Sequence, residues 1–181
     1  MQVMDHTQQV KNWIKFIGAK THSAGVIVHS PPGSGKSWFV QHDGGEDWVD
    51  VDEFVGKYLK FHTEAWHSAQ KSEAEIKKHY LECDKYLQAM RKEGLWVVGS
   101  LFENYIPDAI LLLDIKQHRK WVEKREDLDW DTANDVRNLL EDMSRKNGVK
   151  IYRDWGTLHS SYAILAHLFV AAHPERNQTK R

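Results

Sequence analysis

The run AGVIVHS at residues 24–30, followed at once by PPGSGKS, constrains this chain more than any other stretch. A short β-branched apolar run reads as a strand buried on both faces, and such strands occur in sheets covered by helices on both sides. The next residues, KSWFVQH, can open a short helix before Gly44 and Gly45 break it. Between strand and helix lies a loop with Gly33, Gly35, Lys36 and Ser37 in register. A phosphate-gripping loop needs this chemistry: small residues that let backbone N–H groups turn inward, a lysine for the outer phosphates and a hydroxyl for Mg²⁺. The register departs from G-x-x-x-x-G-K-[ST] only at its first position, where Ser30 stands in place of glycine. A left-handed backbone at that serine would cost only ~1–2 kcal/mol. Pro31 and Pro32 remove two donors, but from the outer arc rather than from the Gly-Lys end. Chance would produce such a tetrad in a chain of this length on the order of once in a hundred or rarer at average composition. The candidate nucleotide-binding residues are therefore Ser30, Pro31, Pro32, Gly33, Ser34, Gly35, Lys36 and Ser37.

The rest of the chain alternates strand and helix patterns. Val10, Trp13, Ile14 and Ile17 recur at helical spacing, closed near Gly18. DWVDVD (47–52) reads as a second strand, with helical patterns over about 53–69 and 73–92. The second of these helices has a capping box, Ser72 with Glu75, an apolar stripe of Ile76, Tyr80, Cys83, Leu87 and Met90, and Gly94 as its stop. LWVVGS (95–100) and AILLLDI (109–115) are further buried strands, and helices are expected over about 117–126 and 131–147. A fifth strand over 149–155 and an apolar helix over 160–172 complete the pattern. Strands alternating with helices imply parallel βαβ units, hence one α/β domain over 1–181: an N-terminal helix in 1–23, a core in 24–172 and a flexible polar tail in 173–181. Ligands in such folds sit at the carboxyl ends of the strands. Ser30 to Ser37, Asp50 with Asp52, Gly99 with Ser100, and Asp114 all fall there and should converge.

Composition narrows the classes of function. A formal net charge of −1 supplies no global basic field for nucleic acid. The lone Cys83 permits no intrachain disulfide, and no apolar run approaches the ~20 residues that span a bilayer. With no secretory leader in MQVMDHTQQVKNW, a cytoplasmic protein without a membrane partner is expected. The 11 histidines suggest metal binding, but His62 and His67 are five apart and no HExxH occurs. Cys83, on an apolar stripe, reads as buried rather than nucleophilic.

At this point the chain resembles the P-loop kinases, the group of nucleoside and nucleotide kinases, shikimate kinase and gluconate kinase. Three features carry the likeness: SPPGSGKS, the D-x-D of DVDEF (50–54), and LLLDIKQHRKWVEKR (111–125), similar to the strand and arginine-bearing helix that lead into the lid. Their order spans about 24–155, and the N-terminal helix departs from the group. The resemblance implies a three-layer α/β/α P-loop fold with a central, mostly parallel five-stranded sheet and a helical lid. It also implies ATP and Mg²⁺ as cofactors and transfer of the γ-phosphoryl group. Lys36 would bridge the β- and γ-phosphates and Ser37 would ligate the metal. Asp50 would support the metal through water, and Asp52 would orient or deprotonate an acceptor hydroxyl. Arg119 and Arg125 would reach the transferring phosphate, with Arg137, Arg145 and Arg153 in reserve. On the residues alone, Asp50 and Asp52 could equally be a polar strand end with Asp52 capping the next helix, and the arginines a solvated helix face.

No arginine occurs in residues 1–90, where kinases of nucleoside monophosphates commonly place one to fork onto the acceptor phosphate. The expected acceptor is a nucleoside-like or other small molecule. Trp38, Trp48, Trp66 or Trp96 could stack on a base, although core packing is the commoner role for a tryptophan. Two other activities fit less well. A kinase acting on a polynucleotide 5′-hydroxyl or modified base would need a basic groove. A nucleotide-binding ATPase or switch without an acceptor would not need the D-x-D.

Overall fold

The β-branched runs pair side by side, as buried strands must to satisfy their backbone groups. A computed structural model describes residues 5–59, 72–100 and 105–172. Strands β1 (Val26–His29), β2 (Trp48–Asp50), β3 (Trp96–Gly99), β4 (Ala109–Leu111) and β5 (Lys150–Tyr152) form one sheet in the order β2-β3-β1-β4-β5. Every neighbouring pair is parallel, so the expected mostly parallel sheet is wholly parallel. Val26 pairs with Trp96 and His29 with Gly99, while Val28 pairs with Ala109.

Alternation along the strands splits the core into two faces. Ile27, Val49 and Val97 pack with Val10 and Trp13 of helix α1 (His6–Ile17) and with Cys83, Leu87 and Met90 of α3 (Glu73–Lys92). Ile110 on the same face packs with Leu140 of α5 (Trp130–Asn147). Val26, Val28, Trp96 and Val98 turn the other way, toward Phe39 of α2 (Lys36–His42) and Trp155 and Leu158 of α6 (Trp155–Ala172). Helix α4 (Ile115–Val122) follows β4. The N-terminal helix is built into the core, since Val10 and Trp13 are 0% and 1% exposed.

Several boundaries differ from the periodicity. Strand β2 stops at Asp50, and Glu53–Tyr58 forms a π-helical segment whose wide turn is closed by Leu59 N–H donating to the Phe54 carbonyl at 2.8 Å. Helix α6 begins at Trp155 rather than at 160, because Asp154 accepts from Thr157 N and Thr157 Oγ1 at 2.7 and 2.8 Å and so caps it. Helix α4 starts at Ile115 with Asp114 as its cap and ends at Val122, leaving Arg125 in the following loop. The capping box of Ser72 and Glu75 forms as expected. The tail 173–181, together with His62, Trp66 and His67, lies outside the described residues. Among the described residues no helix is long and apolar enough to cross a membrane.

Candidate functional site

The strand order places β1 between β3 and β4, and the chain leaves β1 toward one edge of the sheet and β4 toward the other. In open α/β sheets such a divergence marks the carboxyl ends of the two strands as the place where ligands bind. The loop after β1 and helix α4 after β4 meet there.

Residues 30–35 form a loop held mainly by its carbonyl groups. Ser30, with no exposed surface, extends the β1–β3 ladder by donating its N–H to the Gly99 carbonyl at 2.9 Å. Its hydroxyl pairs with that of Ser34, which donates in turn to the Pro31 carbonyl at 2.7 Å. The Pro32 carbonyl accepts from His118 Nε2 at 2.8 Å, and the Ser34 carbonyl from Trp155 Nε1 at 2.9 Å. Gly33 and Gly35 have φ of +77° and +83°, the left-handed region. A Cβ on Gly33 would lie 2.6 Å from Val122 Cγ2, and one on Gly35 3.0 Å from Trp121 Cζ3. One face of α4 therefore seats on the loop through His118, Trp121 and Val122. Trp155 escapes a sequence reading because it lies 121 residues from its loop partner. His118 falls near the site by sequence, but nothing local distinguishes it from an ordinary polar neighbour or ties it to Pro32, 86 residues away. Ser30 and Ser34 are the exception, since two small hydroxyl residues four apart at the loop's turn are visible in the sequence.

Beyond the loop, Lys36, Ser37, Asp50 and Asp52 come together. Ser37 Oγ donates to Asp50 Oδ2 at 2.9 Å, and the Asp52 N–H donates to Asp50 Oδ1 at 3.0 Å. Asp50 is 3% exposed, and burial, aided by the charge of Asp52, pushes its carboxyl above the usual range. Lys36 is 8% exposed, and burial pushes its ammonium below the usual lysine range, against the pull of Asp52 and then Asp50. Asp52 is exposed and has helical dihedrals of −65° and −28°, so the two aspartates do not share a strand face. Asp50, not Asp52, accepts the bond that starts the following helical turn. The charges of both still act on Lys36.

The two arginines expected in the lid part company. The charge of Arg125 is felt at Lys36, and its guanidinium forks onto Asp127 at 2.9 and 2.6 Å. Arg119 faces elsewhere, holding Glu123 at 2.7 Å and lying over the Trp130 ring at 5.8 Å. Arg137 and Arg153 hold the end of β4, donating to the Leu113 and Leu112 carbonyls at 2.7 and 3.4 Å, and Arg145 pairs with Asp142. His29 is fully buried beneath the loop, where burial and the charge of Lys36 push its imidazole down to about 3.

A groove of about 750 Å³ runs beside the outer edge of β2, lined by Phe16 and Ile17 of α1, Glu46, Trp48, Asp50, Glu53, Lys57 and Tyr58. Trp48 and Trp96 pack in the core with ring centres 5.2 Å apart, whereas Trp38 is 58% exposed and stacks on His42. Burial pushes the Cys83 thiol up to about 12, which leaves it inert. Among the described residues no group of three or more His, Cys, Asp or Glu side chains could by itself hold a metal ion. Ser37 and Asp50 are instead a pair of oxygen donors, which suits a hard cation whose remaining ligands are phosphate and water. No protein-family model matches the chain, and no curated protein matches it.

Proposed function

We propose that this protein is a P-loop kinase that uses ATP to phosphorylate a hydroxyl of a nucleoside-like small molecule. The observation that carries this reading is the hydrogen bond from Ser37 to Asp50, beside a buried Lys36 that is flanked by Asp50 and Asp52. A lysine held out of water costs stability unless it serves an anion, and the two carboxylates beside it only partly offset that cost.

The loop N–H groups and Lys36 grip the phosphates and neutralise the charge that spreads over the γ-phosphoryl group. Ser37 and Asp50 would hold Mg²⁺, which supplies further charge neutralisation when bound. The acceptor oxygen attacks the γ-phosphorus as the bond to the β,γ-bridging oxygen breaks, and ADP departs with that electron pair. The hydroxyl proton passes to the exposed carboxylate of Asp52. Arg125 exchanges Asp127 for the transferring phosphate.

The groove beside β2 favours an acceptor without a phosphate. Its described lining carries Glu46, Asp50 and Glu53 but one ammonium, Lys57, already bound to Glu53 at 2.6 Å. Phe16 and Tyr58, with ring centres 5.7 Å apart, offer an exposed aromatic edge to a planar ligand. A coupled assay of ADP release tests the proposal across nucleosides, nucleoside monophosphates, polyols and oligonucleotides. Turnover with neutral nucleosides or polyols is expected. Hydrolysis that no acceptor accelerates would leave an ATPase, and a preference for oligonucleotides would make the polynucleotide the substrate.

A further inference from the structure

We infer that His118 is a positioning residue for the phosphate loop, donating Nε2–H to the Pro32 carbonyl so that the Ser-Pro-Pro arc is held carbonyl-outward and its neighbouring N–H groups face the ligand. This inference goes beyond the kinase reading and rests on it, since it requires the loop to grip a polyphosphate.

The chemistry follows from the partner. A carbonyl oxygen can only accept, so at 2.8 Å the proton belongs to Nε2. In a neutral imidazole Nδ1 is then a bare acceptor. That Nδ1 is buried and meets no hydrogen-bond donor among the described residues. The ring has no exposed surface and stands edge-on to Trp130 at 5.4 Å. The charged groups acting on it are Arg137 from α5 and Lys36 from the start of α2, both positive. A second proton would add a buried N–H without an acceptor and a third positive charge to that pair. Burial accordingly pushes the His118 imidazole below its ordinary value. His118 is used as a fixed neutral donor, not as an acid or base.

The need for such a donor comes from the loop itself. Pro31 and Pro32 contribute no N–H, so the grip rests on the residues from Gly33 onward, whose orientation depends on where the preceding carbonyls point. Pro31 is held by Ser34 from within the loop, whereas Pro32 is held from outside, by a helix that follows β4. The loop is thereby tied to the segment that carries Arg125.

Glutamine reaches as far as an imidazole Nε2 and can donate there, whereas asparagine is one methylene short. Full-length wild type, His118→Gln and His118→Asn are titrated with a fluorescent ATP analogue and with inorganic tripolyphosphate from pH 5.5 to 8, with thermal unfolding run alongside. Expected results are a dissociation constant for His118→Gln near that of wild type at every pH, and about tenfold weaker binding for His118→Asn. Equal affinity in all three proteins would overturn the inference alone, as would His118→Gln binding no better than His118→Asn. Wild type that bound neither ligand would overturn both this inference and the nucleotide reading.

Discussion

Lys36 and Asp50 keep 8% and 3% of their surface, whereas Arg119 and Arg125, after β4, leave 59% and 48% of their side chains in water. The two regions hold their charges in opposite states. On the β1–β2 side the charges are desolvated, and the Ser37 and Asp52 bonds to Asp50 place them before any ligand arrives. On the other side each arginine is tied to an exposed carboxylate, Glu123 or Asp127, by a water-screened surface pair that holds it only weakly. Such pairs exchange readily, so under the kinase reading the difference separates a preorganised floor from an arm able to change partners.

Replacing Lys36 by alanine should break the comparison at its strongest point. Under the kinase reading, nucleotide turnover in the coupled assay falls on the order of 10²-fold or more. A variant that turned over ATP normally would remove the floor from the mechanism. Gly33→Ala tests the contact between floor and arm directly. It combines a left-handed φ of +77° with a Cβ 2.6 Å from Val122 Cγ2, and unfolding in urea should show a loss of about 2 kcal/mol or more. Gly45→Ala, with φ of +56° and no atom within 4 Å, should show only the backbone part, about 1 kcal/mol.

Acid should weaken the buried side first. With His29 held down to about 3, the unfolded chain takes up a proton below about pH 6.5 that the folded chain refuses until near pH 3. Stability contributed by neutral His29 is therefore complete above pH 6.5 and is lost as pH falls, by at most about 1.4 kcal/mol per unit. His22 and His118, also lowered by burial, act with the same sign, and Asp50, raised by burial, acts with the opposite one. Urea midpoints at pH 7 and 5.5 measure the slope, which His29→Phe should flatten. The exposed arm divides: Arg125→Ala should lower kcat about tenfold, whereas Arg119→Ala, the smallest effect, should leave it within about twofold. Equal losses for both would show that Arg119 also reaches the transferring phosphate.

Much of this architecture was legible because its signals are local. A β-branched run makes a buried strand wherever helices cover it, and Ser72 with Glu75 caps a helix through bonds three residues long. Gly33, Gly35, Lys36 and Ser37 follow β1 as the loop pattern requires, and Asp50 meets Ser37 at the strand ends. The residues that periodicity misplaced sit where a side chain of the opening turn overrides it. Asp50 starts the turn after β2 and takes Asp52 off the strand, and Asp154 opens α6 earlier than its apolar run.

Taken alone, the residue order determines an alternation of strands and helices and one Gly-rich loop between β1 and α2, because strand burial, capping and turn chemistry act over a few residues. Only the tertiary structure decides that His118 and Trp155 hold that loop, that the charge of Arg125 is felt at Lys36, and that the groove beside β2 is rich in carboxylates. Those relations join elements distant in sequence. They depend on the order in which β1 and β4 lie side by side, and no local pattern carries that order.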